Sequence, residues 1–174
     1  MNIFFDIDYT LVGEDNTLRP GVEVMLQALL HDHVVYAWSG DAVRTTTVED
    51  HGLTSYFSGV MPKPTTRYRE IASRFGVAVE FTVDDYPQVV RVFGGVCVSP
   101  YFGVVGQHRP AAPIDRLVLP AVAAHLEGGR RNEESDVWCY SDGPNGLETR
   151  RYVENVLVEE SRRTGMMRWR MERS

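Results

Sequence analysis

Five short apolar runs alternate with helical patterns over the first hundred residues, and this alternation constrains the fold more than any other feature. The apolar runs are predicted strands, at residues 2–6, 33–38, 57–61, 79–83 and 95–99. Helices are predicted between them, at residues 21–30, 42–51 and 65–75 and after Pro87. Because strands that alternate with helices form parallel sheets with right-handed crossovers, the sequence predicts an α/β fold.

The composition is that of a soluble globular protein with a hydrophobic core. Of the 174 residues, 43% are hydrophobic and 24% are charged, which excludes a disordered chain and a disulfide-dense miniprotein. A net charge of −6 argues against a nucleic-acid or anionic-membrane binder, because such proteins carry a basic surplus. No apolar run approaches the roughly 20 residues of a membrane-spanning helix, and no signal-peptide pattern is found. We therefore expect a cytoplasmic protein.

Cysteine and lysine are both rare in this chain. Cys97 and Cys139 lie far apart in apolar stretches, so each is expected to be a buried free thiol. Seventeen of the 18 basic residues are arginine, and Lys63 is the single lysine. Genome composition commonly produces arginine-rich usage, but it does not explain why one lysine remains at this position.

Polar residues follow four of the five predicted strands. These are Asp6, Asp8 and Thr10 after the first strand, Ser39 and Gly40 after the second, Lys63 after the third, and Asp84 and Asp85 after the fourth. Ligands of parallel α/β sheets bind at the carboxyl ends of the strands. We therefore expect these residues to meet at one edge of the sheet.

Several of these residue types suit the transfer of a phosphoryl group. A carboxylate that attacks a phosphate dianion is repelled by it, so positive charge must offset the repulsion. Asp6 and the pair Asp84-Asp85 supply the hard oxygen ligands that Mg²⁺ prefers. Lys63 would add a compact positive charge beside the phosphoryl oxygens.

The remaining residues provide hydrogen bonds and a proton. The Ser39 hydroxyl and the Gly40 amide, near a helix N-terminus, can donate to phosphoryl oxygens, and Thr10 is a further candidate for the same role. Asp8 can protonate the leaving group and then activate a water molecule. The sequence thus indicates phosphoryl-transfer chemistry.

Four motifs in order resemble those of the haloacid dehalogenase (HAD) superfamily. The signature DxDx[TV] after an apolar strand matches FFDIDYTLV at residues 4–12. A strand that ends in Ser or Thr matches VVYAWS at residues 34–39, and a lysine after the third strand matches Lys63. An apolar strand that ends in an acidic pair matches FTVDD at residues 81–85. The resemblance covers roughly residues 1–106.

The resemblance implies a role for each matched residue. Asp6 would be the nucleophile and a metal ligand, and Asp8 the general acid and base, with its backbone carbonyl also on the metal. Lys63 would neutralise the phosphoryl group. Asp85 is expected directly on Mg²⁺, with Asp84 behind it or paired with Lys63, and the order of the two stays open.

The second aspartate of the signature also bears on the reaction. A carboxylate at position 8 favours the phosphatases of the superfamily, because the dehalogenases do not need that acid. The resemblance therefore implies an enzyme that hydrolyses a phosphomonoester with Mg²⁺, through an aspartyl-phosphate on Asp6.

The resemblance further implies a three-layer α/β/α Rossmann-like sandwich around a mostly parallel five-stranded sheet. Many members carry a cap domain after the first motif or between the second and third. Here about 28 residues separate Thr10 from Ser39 and about 23 separate Ser39 from Lys63, too few for a domain. We expect a capless protein with an open site. Tyr9, where many members have glycine, is similar to the DxDYT of capless magnesium-dependent phosphatases.

Residues 107–174 match no motif and are predicted to form an extension packed on or beside the catalytic core of residues 1–106. A helix is predicted at residues 114–126, with Pro120 either breaking it or starting its second half. An amphipathic helix is predicted at residues 147–164. The extension can cover the open site, build a homo-oligomer or add a basic patch. The alternative is a solvated helix on the edge of the sheet.

Three features near the motifs have two interpretations. Arg44 can contact a substrate phosphate or carboxylate, or lie on the helix surface. Residues 15–17 can form a loop over the site or an ordinary turn. Trp38 can border the substrate or belong to the core, and we expect the core.

Two other functions stay open. One is a phosphatase for a macromolecule, such as a phosphoprotein or a nucleic-acid end. The open site favours a large substrate, whereas the acidic charge counts against nucleic acid. The other is a non-catalytic HAD-like binding module. We expect a phosphorylated small molecule as the partner and no membrane.

Overall fold

The computed structural model of the chain describes residues 1–40, 44–106 and 112–127. In these residues one sheet has five strands, β1 (Asn2–Asp6), β2 (Val34–Ser39), β3 (Val60–Pro62), β4 (Phe81–Asp84) and β5 (Gly95–Cys97). Their order is β3-β2-β1-β4-β5, and every neighbouring pair is parallel. This confirms the predicted α/β class.

The described residues form six α-helices, of which the first four connect successive strands and the last two follow β5. They are α1 (Val22–Leu29), α2 (Thr45–Asp50), α3 (Tyr68–Ala72), α4 (Pro87–Phe93), α5 (Gly103–Gly106) and α6 (Asp115–Leu126). Two 3₁₀ turns, Thr54–Tyr56 and Ser73–Phe75, follow α2 and α3. Each of the first four crossovers thus carries one α-helix, as parallel strands require.

Side chains that alternate along β1 pack on opposite faces of the sheet. Ile3 and Phe5 belong to the larger hydrophobic cluster, which also takes buried residues of α1, α2 and α6. Phe4 belongs to a second cluster with Trp38 and Val89, completed by partly buried residues of α3 and α4. Helices therefore cover both faces, and the described residues form a three-layer sandwich of Rossmann-like type.

Several element bounds differ from the predicted ones. β3 begins at Val60 rather than residue 57, because it is an edge strand and pairs only with β2. The third helix begins at Tyr68 rather than residue 65 and tightens into the 3₁₀ turn before Gly76. β5 ends at Cys97, two residues early, where its pairing with β4 ends.

Helix α6 packs into the main core rather than standing apart from it. Ile114, Val118, Ala121 and Val122 are all buried in the cluster that holds α1. Pro120 lies on the exposed side of the helix, where water can take the place of the missing backbone hydrogen bond, and α6 continues through it. The helix predicted at residues 147–164 lies outside the described residues.

Neither interval between the first three motifs holds a further domain in the described residues. From Thr10 to Ser39 the chain forms a tight loop, α1 and β2. From Ser39 to Lys63 it forms α2, a 3₁₀ turn and β3, with residues 41–43 not described. In the described part of the chain, all helices are too short or too polar to cross a lipid bilayer.

Three strands of the parallel sheet deliver polar residues to its carboxyl edge. Asp6 aligns with Trp38 in β2, and Phe5 aligns with Val83 in β4. The last residues of β1, β2 and β4 consequently lie side by side, and they are Asp6, Ser39 and Asp84. This edge is where the candidate site forms.

Candidate active site

Lys63 connects the ends of three strands. It follows the edge strand β3, and its backbone N–H donates to the carbonyl of Ser39 at 2.8 Å. Its Nζ lies 2.7 Å from Oδ1 of Asp6 and 3.2 Å from Oδ2 of Asp84. Only 12% of the Lys63 side chain is exposed, so the ammonium is held between two buried carboxylates. The sequence predicts that Asp6, Lys63 and Asp84 meet at one edge of the sheet, and the structure shows Lys63 in contact with both acids.

Thr10 links the first motif to the acidic pair. Its hydroxyl donates to Oδ2 of Asp6 at 3.3 Å and accepts the backbone N–H of Asp85 at 3.1 Å. Thr10 is fully buried, so it holds the carboxylate of Asp6 from the side opposite Lys63. Its predicted contact with phosphate stays a prediction, whereas its contacts with the two acids are seen directly.

The two acids of the fourth motif have different surroundings. Asp84 is completely buried; it pairs with Lys63 and accepts the backbone N–H of Tyr86 at 2.8 Å. Asp85 is partly exposed, and its carbonyl lies 3.7 Å from Sγ of Cys97, a buried free thiol as predicted. Cys139 lies outside the described residues. Asp84 is thus the acid paired with Lys63, one of the two arrangements left open above.

Asp8 lies in a hydrogen-bonded group of its own. Ser39 Oγ donates to Oδ2 of Asp8 at 2.8 Å, and the guanidinium of Arg44 forms an ion pair with Oδ1. Asp8 is 22% exposed, compared with 4% for Asp6. Arg44 thus reaches the site through Asp8, and its contact with a substrate phosphate or carboxylate stays a prediction. Gly40 lies beside the Lys63 side chain, where a Cβ would be 3.7 Å from Cε.

A tight turn at Tyr9 follows Asp8. The N–H of Tyr9 donates to the carbonyl of Val12 at 2.8 Å, and Tyr9 has a φ of 61°. A non-glycine residue in this region costs of the order of 1 kcal/mol, which the surrounding contacts must offset. One such contact is the N–H of Tyr101, which donates to the Tyr9 carbonyl at 2.6 Å. The turn brings the Thr10 hydroxyl back to the carboxylate of Asp6.

Arg19 is a residue of the site that the sequence reasoning missed. It is 3% exposed, and its Nη1 donates to the carbonyl of Ser99 at 3.0 Å and to that of Thr10 at 3.4 Å. Burial lowers the pKa of Arg19 to about 10, and Asp85 opposes this shift. No local pattern separates Arg19 from the sixteen other arginines, because burial of a charge depends on distant partners.

Trp38 belongs to the core, as expected, whereas residues 15–17 form a turn from which Asn16 lines a cavity beside Asp8. Trp38 is fully buried and packs its ring on Phe4 and Phe93, with centroids 4.9 and 5.6 Å away. Residues 15–17 lie in a turn closed by the Gly13 N–H, which donates to the Thr17 carbonyl at 2.9 Å.

The acidic cluster holds more carboxyl groups than ammonium groups. Burial raises the pKa of Asp6, and Lys63 opposes this shift. Burial also raises the pKa of Asp84 well above its usual range, and that of Asp85 to about 7. For Lys63, burial alone would lower the pKa, but the attraction of Asp84 and Asp6 outweighs it and keeps the ammonium charged. One ammonium faces three carboxyl groups.

The donor chemistry of this cluster suits a hard divalent cation. Asp6, Asp84 and Asp85 each offer a carboxylate oxygen, and these oxygens all lie within 4.8 Å of one another. Oxygen ligands of this kind bind Mg²⁺, whereas zinc sites usually include thiolate or imidazole. A cation would also reduce the mutual repulsion of these carboxyl groups in their ionised forms. The residues present therefore fit the ion that the sequence prediction named.

The stability of the metal-free protein is expected to fall as the pH rises from about 4 to about 7. Burial raises the pKa of Asp85 from 3.8 to about 7, so the native state binds more protons than the unfolded chain in this window. The contribution of the carboxyl group is complete below its unfolded pKa and is lost as the pH rises through its folded pKa. Thermal unfolding in EDTA measures the effect.

Asp85→Asn is the matched control for this pH dependence. It removes the titrating group, so the difference in melting temperature between variant and wild type should grow with pH. If Mg²⁺ binds Asp85 as the sequence predicts, added Mg²⁺ should reduce that difference by stabilising the ionised wild type. A difference that is constant from about pH 4 to pH 8 would contradict the prediction.

No protein-family model matches this chain, and no curated protein matches it. The four motifs and the contacts among their residues are therefore the features of this chain that indicate a function.

Proposed function

We propose that this chain is a Mg²⁺-dependent phosphohydrolase of the HAD type that hydrolyses a phosphomonoester through an aspartyl-phosphate on Asp6. The observation that carries the proposal is the position of the Lys63 ammonium, 2.7 Å from Asp6 within a cluster of three carboxylates. A lone acidic cluster is common on proteins. A buried cluster with one fixed ammonium beside the first-motif aspartate is what attack on a phosphate dianion requires.

Asp6 is the residue proposed to attack phosphorus. Thr10 and Lys63 hold its two carboxylate oxygens, so the carboxylate is fixed before the substrate binds. As the Asp6 oxygen bonds to phosphorus, the bond from phosphorus to the leaving-group oxygen breaks. The electron pair stays with that oxygen, and Lys63 offsets the negative charge on the phosphoryl group.

Asp8 is the residue proposed to move the protons. In the first step it donates a proton to the leaving-group oxygen, which departs as an alcohol. In the second step Asp8 takes a proton from water, whose oxygen attacks phosphorus and breaks the bond to Asp6. Asp8 lies nearer the solvent than Asp6 and contacts Ser39 rather than Lys63, so the two carboxylates occupy environments suited to two roles.

The metal is proposed to bind at Asp6 and the acidic pair. Bound there, Mg²⁺ would add positive charge beside the phosphoryl oxygens. Asp84 already pairs with Lys63, which supports Asp85 as the direct ligand and Asp84 as the residue that keeps Lys63 in place. The Gly40 N–H is proposed to donate to a phosphoryl oxygen, and the Ser39 hydroxyl to do so once its single proton leaves Oδ2 of Asp8.

Phosphate release from a panel of phosphomonoesters tests this function. Wild type is expected to release phosphate in Mg²⁺ and to lose at least 90% of the rate in EDTA, an order-of-magnitude expectation for loss of a charge-stabilising ion. Asp6→Asn serves as the control for contaminating phosphatases. If purified wild type releases no phosphate from any ester in Mg²⁺, the chain is instead the non-catalytic binding module.

A further inference from the structure

A cavity of about 340 Å³ opens beside Asp8. Its lining includes Asp8 and Arg44 but neither Asp6 nor Lys63. The cavity therefore lies next to the proposed proton donor rather than at the proposed nucleophile. In the proposed reaction the leaving group must be next to Asp8, so this cavity is the place for the leaving group.

The wall of the cavity is held in place by contacts within the fold. Asp15 accepts the backbone N–H of Val104 at 2.8 Å, which ties the turn after the first motif to α5. Gly103 has a φ of 90°, and a Cβ there would overlap the Asp15 carboxylate, so this close approach requires glycine. The Tyr9 ring packs edge-on against Phe102, with centroids 5.6 Å apart. The turn and the Tyr9 ring are thus held in place by the fold itself.

The charged groups of the cavity indicate what it binds. Arg44 is 42% exposed and faces the cavity from the start of α2, while Asn16 and Glu14 lie exposed on the turn. A guanidinium matches the planar geometry of carboxylate and phosphate, to which it can donate two parallel hydrogen bonds. Glu14 offers carboxylate oxygens that accept hydrogen bonds from hydroxyl groups, whereas Oδ1 of Asn16 already lies 3.4 Å from Nε2 of His51.

Arg44 also occupies an oxygen that the proposed reaction needs. Its guanidinium pairs with Oδ1 of Asp8, and Ser39 donates to Oδ2, so both oxygens of Asp8 already have donors. Each carboxylate oxygen can accept more than one hydrogen bond, but the guanidinium beside Oδ1 occupies the space that a leaving-group oxygen in the cavity would enter. An anionic group in the cavity would give Arg44 a second carboxylate or phosphate to bind and so release Oδ1.

We propose that the substrate is a small phosphomonoester whose leaving alcohol carries a second anionic group, a carboxylate or a phosphate, which binds Arg44. This rests on the proposed function and adds the class of substrate. Arg44 is then both a specificity residue and a switch, because the anion that it binds uncovers Asp8. An uncharged leaving group leaves Arg44 on Asp8 and reacts slowly.

Three esters of similar size test the proposal in Mg²⁺. Glycerol 3-phosphate has an uncharged leaving group, 3-phosphoglycerate carries a carboxylate, and 1,3-propanediol bisphosphate carries a second phosphate. Wild type is expected to prefer one or both anionic esters in kcat/KM by about 10- to 100-fold, the usual effect of a charge-assisted hydrogen-bond pair. The better of the two identifies the anion.

Arg44→Gln should change kcat/KM in opposite directions for the anionic esters and for the ester with an uncharged leaving group. The kcat/KM for the preferred anionic ester should fall by about 10- to 100-fold, whereas that for glycerol 3-phosphate should rise severalfold because Asp8 is uncovered. Arg44→Lys should keep part of the preference. Arg74→Gln is the matched control, because Arg74 is an exposed arginine that pairs with Glu70 away from the cavity.

The outcomes separate this proposal from the proposed function. Equal kcat/KM for the three esters, or a preference that survives in Arg44→Gln, overturns the substrate class and leaves the phosphatase standing. Faster hydrolysis of a phosphopeptide than of any of the three also overturns it, in favour of a macromolecular substrate. Absence of turnover of every ester overturns both. If Arg44→Gln does not fold, Arg44→Lys carries the test through its reduced preference.

Discussion

Replacing Asp6 by asparagine is expected to lower phosphate release by about 10³-fold or more, because an amide does not attack phosphorus. The same change is expected to raise the melting temperature of the metal-free protein. Asp6 is buried, and burial raises its pKa, so its ionised form is costly to keep in the fold at neutral pH. Activity and stability should therefore move in opposite directions.

Two measurements check the Asp6 prediction. The rate is measured as phosphate release in Mg²⁺, and stability is measured by thermal unfolding in EDTA. Asp32→Asn is the matched control. Asp32 is an exposed carboxylate just before β2, away from the carboxyl edge of the sheet, and among the ion pairs of the described residues it pairs with the exposed His31. Equal turnover by wild type and Asp6→Asn would exclude Asp6 as the nucleophile.

Lys63→Met is expected to destabilise the metal-free protein by about 3–5 kcal/mol, the usual cost of removing one partner from a buried ion pair. The Lys63 ammonium is the group that contacts both Asp6 and Asp84, and without it those buried carboxylates repel each other. The double variant Lys63→Met/Asp84→Asn should recover much of the loss, because it removes one of the uncompensated charges. Urea unfolding at neutral pH measures both.

Lys63→Arg tests whether a positive charge at this position is sufficient or whether the compact shape of the ammonium is also needed. Arginine keeps the positive charge, but its planar fork does not fit the point position between the two carboxylates. We expect this variant to fold with a smaller loss of stability than Lys63→Met and still to lose most of its activity. Near-normal kcat/KM for Lys63→Arg would show that charge alone is sufficient, and the geometric part of the prediction would be wrong.

The site residues were predictable because each lies at, or just after, the carboxyl end of a strand. Asp6, Ser39 and Asp84 end β1, β2 and β4, and apolar runs mark those strands in the sequence. Parallel strands place their carboxyl ends at one edge, so residues far apart in sequence are brought together by a simple rule. Lys63 follows the same rule from β3. Periodicity and strand order are sufficient for this level of prediction.

The contacts that these residues make were harder to predict from the sequence. Arg44 had two interpretations in the sequence, and its ion pair with Asp8 joins residues 36 positions apart. Arg19 showed no signal at all, although its side chain is buried beneath the site. Such contacts depend on how side chains pack after the helices dock on the sheet, and single-residue patterns carry no record of that packing.

The sequence by itself determined the α/β class, the residues at the strand ends and the position of the single lysine among them. Local periodicity and the shared edge of a parallel sheet were the physical reasons. Only the tertiary structure decided that Lys63 bridges Asp6 and Asp84, that Arg44 covers Asp8 and that α6 completes the core. Burial and charge pairing between distant segments decide these features, because both exist only in the packed protein.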